Sequence, residues 1–547
     1  MRWYREVNLR PLFGGRFYLF FVLLSEHLTE RTREESRMEN LKLIQMVTVI
    51  AFVLFALGMI GIGAASFKKV KNLDGFLLGG RNVSGWVSAF SYGTAYFSAV
   101  IFVGYAGKHG WDIGIGSIWI GIGNAVLGCL LSWLLMAKRT RHMTHTLNSK
   151  TMPEFFGSRY DSTVMKVIAA LIIFIFLVPY SAAVYKGLGF MFNTVFPSLS
   201  VNWCMLAIAA LTAIYLVLGG YTASSLTDFI QGIIMVAGII FMIGALLNTD
   251  EVGGLAEGLS RLSQITDNGD GVTGAQLTSI WGADSWKFLC TNILLTSFGV
   301  WGLPQMVTKY YAVKEGKAIK QATIVSTLFC FVIGAGAYTA GSCSRLILGN
   351  TLPEAGYDGV IPNMLMKALG GGGLTIVILA VIIILLFSAS MSTLSGIVLS
   401  SASAISVDLA PQIKKDFGGR PQMLLTRILC LVFIACSFIF ATLNISIIVN
   451  IMSFSWGVVA GCFIGPYVWG IFSKKITKAG AFAGIICGFL TVAVPTAVIT
   501  CSSGFPAAVD NAAGLGVLAM AVSFVIVPIV SSFTRKFDSE FTDKVFR

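Results

Sequence analysis

Stretches of about twenty apolar residues recur along almost the whole chain, and no other feature restricts its fold so tightly. Each is long enough to cross a hydrocarbon layer of about 30 Å, where every backbone N–H and C=O must be satisfied inside the protein. The chain has 547 residues, 56% hydrophobic and 12% charged, with a mean hydropathy of +0.80. That leaves too little polar surface for a soluble protein of this length. The apolar runs are continuous rather than alternating, which excludes a β-barrel. The expected fold is an all-α polytopic membrane protein. Thirteen spans are expected, at roughly 44–66, 84–107, 113–137, 163–193, 202–219, 226–248, 286–313, 320–347, 374–406, 422–444, 445–472, 478–501 and 511–533. The division at 444/445 rests on the turn-like "LNIS".

Ten cysteines contain no CxxC pair, the four histidines do not cluster, and no phosphate loop occurs. The expectation is a protein that is not an enzyme and does not bind nucleic acid. The net charge of +13 then belongs to loops that face anionic lipid. Lys and Arg concentrate in "FKKVKNLDGFLLGGR", "KYYAVKEGKAIK", "QIKKDFGGRPQ", "FSKKITK" and the C-terminal tail. This asymmetry predicts a plasma-membrane protein with its N-terminus outside and its C-terminus in the cytoplasm. Residues 1–37 hold seven arginines and break the rule. Met38 opens a natural first span, so residues 1–37 are expected to be an extension foreign to the native chain.

Polar residues inside such spans need partners or a cavity. Residues 387–396, "FSASMSTLSG", are crowded with hydroxyls. Ala389, Ser392, Thr393 and Gly396 recur at i, i+3, i+4 and i+7 and share one helical face. Small hydroxyl residues also let helices pack closely, and that reading stands beside the next. Two hydroxyls and one loosened carbonyl make half of a hard-cation site, and a broken helix can supply the remaining oxygens. Ser388 and Ser390 fall off this face and are expected to serve packing. Breaks are expected in the span at 84–107, around Ser91, Gly93, Thr94 and Ser98, and in that at 286–313, around Gly299, Gly302 and Pro304. These are the second and seventh spans. Their spacing predicts two inverted five-helix repeats, 84–248 and 286–472, with a solute between them. Residues 38–83 supply a preceding helix and loop, 249–285 an outer loop, and 473–547 two further helices and a tail.

Four motifs carry a resemblance: "FLLGGRNVSGW" (76–86), "YLVLGGYTASSLTDFIQ" (215–231), "FGVWGLPQMVTKYYA" (298–312) and "ASMSTLSG" (389–396). Over roughly 67–475 the sequence resembles the sodium:solute symporter family, whose members carry proline, sugars, sialic acid, pantothenate or monocarboxylates. The resemblance implies a LeuT-like fold and Na+ as the only bound cofactor. It implies a sodium site made by the backbone carbonyls of Thr94, Phe97 and Ala389 and the hydroxyls of Ser392 and Thr393. A second sodium would use Asp228 and Ser395, although Gly396 stands where a further hydroxyl is expected. Asp228 also reads as a cap at the cytoplasmic start of its span. The implied solute site draws on Tyr96, Phe97, Ser98, Ile101, Tyr180, Lys186, Trp301, Gln305, Ser453, Ser455 and Trp456. Val100 and Ile101 argue against a sugar, and Tyr96 replaces an acidic residue of the proline carriers. The expectation is a small carboxylate or amino acid, with Lys186 either pairing with its carboxylate or snorkelling outward. A proton-coupled carrier using Asp228, a sugar or sialic acid as the solute, a channel and a membrane sensor are the alternatives.

Overall fold

The computed structural model describes residues 15–67, 72–282, 286–414 and 418–546. Among these the chain is helical apart from its connections, and one parallel bridge joins Val83 to Val313. The expected all-α class is therefore observed. Ten helices are long and apolar enough to cross a membrane. The expected thirteen also counted pieces that are broken or short. Gly85–Tyr96 (α2) stops before Ala106–Ile113 (α3), and Trp286–Gly299 (α6) stops before Pro304–Ala312 (α7). The piece Val201–Val217 is short of spanning length.

Helix α1 covers Gly15–Phe67, so residues 15–37 extend the first helix, while residues 1–14 lie outside the described residues. The remaining long helices are the stretch Val100–Thr146 that contains α3, and α4 (Thr163–Val195), α5 (Val201–Leu247), α8 (Lys317–Ser342), α9 (Leu374–Ser403), α10 (Gly419–Thr442), α11 (Ile448–Phe472), α12 (Lys478–Ser503) and α13 (Ala512–Phe533). The "LNIS" turn does separate α10 from α11.

Helix α2 packs against α5, α7, α8 and α9, and α9 also packs on α4 and α5. On the other side, α11 lies against α4, α12 and α13 and is buried along nearly its whole length. The two broken helices thus meet between these groups. Near their basic-loop ends they are joined by the Val83–Val313 bridge, with Val83 N–H donating to Ala312 O at 3.1 Å and Lys314 N–H to Val83 O at 2.9 Å. Arg81 fastens the same end, donating to Thr144 O at 3.1 Å and Ser149 O at 2.8 Å.

The spans expected at 202–219 and 226–248 are two helical segments, together α5, that meet in a sharp kink at Gly220. There φ is 54° and ψ −148°, a conformation that side chains resist. A Cβ at Gly220 would stand 2.5 Å from the Phe76 ring. Gly220→Ala is expected to cost roughly 1–3 kcal/mol, seen as a lower unfolding temperature of the purified protein. An unchanged temperature would show that the kink does not need glycine.

Candidate functional site

The break in the first core helix begins at Phe97, whose φ of −102° and ψ of 112° end α2. Its N–H still reaches Gly93 O at 3.2 Å, and the chain resumes helical geometry by Val100. Ser98 eases the restart, accepting from Val100 N–H at 3.2 Å. A break inside a membrane protein frees backbone groups that need new partners. Helix α9 supplies them. Ser390 Oγ accepts from Ala99 N–H at 2.9 Å. Thr393 Oγ1 lies 3.1 Å from Ala389 O, 3.2 Å from Ala95 O and 3.4 Å from Thr94 O. Ser392 Oγ lies 2.8 Å from Thr94 Oγ1, which also donates to Phe90 O at 2.8 Å.

The structure therefore brings Thr94, Ala389, Ser392 and Thr393 together, with Phe97 forming the bend beside them. One hydroxyl proton of Thr393 faces three acceptor carbonyls, so oxygens outnumber donors at this point. Ser390, expected only to pack, instead caps the first peptide after the bend.

The solute candidates divide into committed and free groups. Tyr96 OH donates to Thr296 O at 2.7 Å, and Trp301 Nε1 donates to Leu127 O at 3.1 Å, so both tie the broken helices to neighbours. Ser453 is shared between Tyr105 OH and Val449 O, each at 2.8 Å, and Ser455 donates to Phe176 O. Ile101 is wholly buried in the apolar core. Trp456 packs edge-on to Tyr180, with ring centroids 5.6 Å apart, and lies 6.5 Å from Tyr96. Its indole N–H faces the Tyr180 hydroxyl, whereas both polar atoms of the Gln305 side chain are buried without a partner. A cleft from the basic end, near Lys150 and Thr151, reaches Gln305 and is also lined by Ser224, Lys309 and Gly396.

Two expectations need correction. Lys186 does not wait for a solute: its Nζ is 3.0 Å from Asp358 Oδ2 and donates to Ser446 O at 2.6 Å. Asp358 also accepts the Ile448 N–H at the start of α11, at 3.0 Å. Burial pushes the Asp358 carboxyl above its usual range, while the Lys186 ammonium and the Ile448 amide pull it back. Sequence reasoning missed Asp358 because it lies in the connection between α8 and α9. Asp228, in turn, is not a cap. It lies well inside α5, past the Gly220 kink, fully buried, with its Oδ2 2.5 Å from Ser91 Oγ and 3.3 Å from Lys309 Nζ. Ser395 instead pairs with Ser224 Oγ at 2.7 Å and donates to Ser392 O at 2.8 Å. Lys309 was missed because "KYYAVKEGKAIK" reads as a basic loop, whereas the residue sits on α7.

A model of the sodium:solute symporter family matches residues 76–488. The chain belongs to that family. It is 28% identical over 452 residues to a sodium/proline symporter of Salmonella typhimurium, covering 82% of this chain and 87% of that protein. It is 26% identical over 442 residues to a sodium/pantothenate symporter of Haemophilus influenzae, covering 78% and 86%. The fold matches a solved Na+-coupled sialic acid symporter in a substrate-bound outward-open state. The TM-score is 0.69 at 18% identity, over 90% of this chain and 98% of that one.

The Lys186–Asp358 pair should behave as a buried ion pair. Lys186→Met is expected to lower stability by about 3–5 kcal/mol because it strands a buried carboxylate. The double change with Asp358→Asn should cost clearly less than the two single changes summed. Additive effects on the unfolding temperature would show that the pair is not coupled.

Proposed function

We propose that this chain is a sodium-coupled symporter that imports a small amino acid of proline type by alternating access. The observation that carries the reading is the crowding of the Thr94, Ala95 and Ala389 carbonyls around one Thr393 hydroxyl at the α2 break. A hydroxyl proton serves one acceptor well. A hard cation is served by about six oxygens at about 2.3–2.6 Å, with calcium as the guide. The ligands are the carbonyls of Thr94, Phe97 and Ala389 and the hydroxyls of Ser392 and Thr393.

The solute lies between the two breaks. Aromatic faces of Tyr96, Tyr180 and Trp456 suit a small apolar ring, and the unpartnered Gln305 amide offers a donor to a carboxylate. The names of the sodium/proline and sodium/pantothenate relatives favour a solute with a carboxylate. Lys186 is committed to Asp358, so a neutral donor meets the carboxylate.

Sodium enters from outside, joins α2 to α9, and orders the bend on which the solute rests. Sodium and solute then strengthen each other's binding by the same factor. The basic loops place the N-terminus outside and the C-terminus in the cytoplasm. In that orientation Lys186 and Asp358 close the outer end, and the cleft to Gln305 is the inner exit. The membrane potential adds about 2.3 kcal/mol per charge per 100 mV to inward sodium movement.

Uptake of radiolabelled proline into proteoliposomes should require sodium and fail when potassium replaces it. Ser392→Ala and Thr393→Ala each remove a charge-assisted contact of about 1.5–3 kcal/mol. Half-saturating sodium should therefore rise roughly ten- to hundredfold, whereas Thr393→Ser should be mild. Ser390→Ala removes a cap worth about 1 kcal/mol and should show a smaller rise. Equal, small effects from all three alanine changes would mean that these hydroxyls only pack helices. Uptake driven equally by potassium would overturn sodium coupling itself.

A further inference from the structure

A lysine buried between three helices is left unexplained by the site above. The Lys309 side chain is 2% exposed, and Asp228, which it faces, is 0% exposed. Its ammonium donates to Ser91 Oγ at 2.7 Å, stands 3.3 Å from Asp228 Oδ2, and lies 5.1 Å from the centre of the Tyr221 ring. Ser91 also donates to Asp228 Oδ2, and the Ser392 hydroxyl lies within hydrogen-bonding reach of the same carboxylate. The group ties α2, α5 and α7.

Its position relative to the sodium ligands is the second observation. Ser91 and Thr94 are three residues apart on α2 and share a face, and Thr94 touches Ser392. Ser224, one turn before Asp228 on α5, bonds to Ser395 of α9. Asp228 is therefore flanked by hydroxyls of the kind that hold sodium next door. Chemically this is an anionic oxygen site beside a neutral one, and its positive charge is a tethered ammonium.

A carboxylate this deep in a membrane protein needs a cation. A buried ion pair adds little stability compared with apolar packing, so its presence asks for another role. A tethered group competes at an effective concentration of roughly millimolar or more and cannot leave with the solute. We propose that the Lys309 ammonium is a built-in cation that fills the Asp228 site and thereby fixes coupling at one sodium ion per solute.

The inference rests on the sodium-coupled reading, and binding of radiolabelled sodium to the purified full chain separates the two. The native protein should bind one sodium, with a Hill coefficient near one for sodium-driven uptake. Lys309→Met should bind two, with a Hill coefficient approaching two and about twice the charge moved per solute. Lys309→Arg keeps the charge and should remain at one, and the pair Lys309→Met with Asp228→Asn should return to one. If Lys309→Met is unstable in potassium, sodium should restore its unfolding temperature, with the midpoint of that rescue giving the new site's affinity. A folded Lys309→Met protein that binds one sodium, an unstable one that sodium does not rescue, or a native protein that binds two would overturn the proposal. A native protein that binds none would overturn the sodium reading instead.

Discussion

A backbone broken inside a membrane must have its freed groups met by other parts of the protein, because lipid offers no hydrogen bonds. The bend at Phe97 is possible only because α9 presents Ser390 to the Ala99 amide and Thr393 to the carbonyls behind it. Much else follows from that meeting. It sets how closely α2 and α9 approach, and it leaves acceptor oxygens in excess at the contact. It also couples the bend to whatever satisfies those oxygens. The same local failure of helix geometry is thus the source of the structural problem and of the chemistry.

Charges obey a related rule at two other places. Lys186 with Asp358 and Lys309 with Asp228 are pairs drawn from elements far apart in sequence, and both pairs are largely buried. The first lies where the connection after α8 meets the start of α11, at the end away from the basic loops. The second lies within the bundle, and Lys309 also lines the cleft from the basic end. A pair that spans moving elements can be made in one state and broken in another, at a cost set by how far water reaches it. In the present structure the Lys186 pair is made and the cleft at the other end reaches Gln305.

Much of this was legible in the chain itself. Apolar runs, the face shared by Ala389, Ser392 and Thr393, and the small residues around Gly93 announced a helical membrane protein with a broken helix meeting a hydroxyl-rich one. These are period and composition signals, carried by neighbours in sequence. The misread residues are those whose meaning depends on a remote partner. Lys186 looked free until Asp358 appeared beside it. Asp228 looked like a cap because the kink at Gly220 was read as the gap between two spans.

By itself, then, the sequence determined that the chain is helical, where its helices break, which end is basic, and which hydroxyls share a face. Hydrophobicity, glycine and proline geometry, and helical period act over a few residues and need no tertiary information. The tertiary structure alone decided which buried polar groups are already satisfied and which remain open. In a low-dielectric interior every such group must find a partner, and that partner can lie hundreds of positions away, as Ser392 does from Thr94. Whether Asp228 faces a free ion or a lysine is settled only when α2, α5 and α7 are packed together.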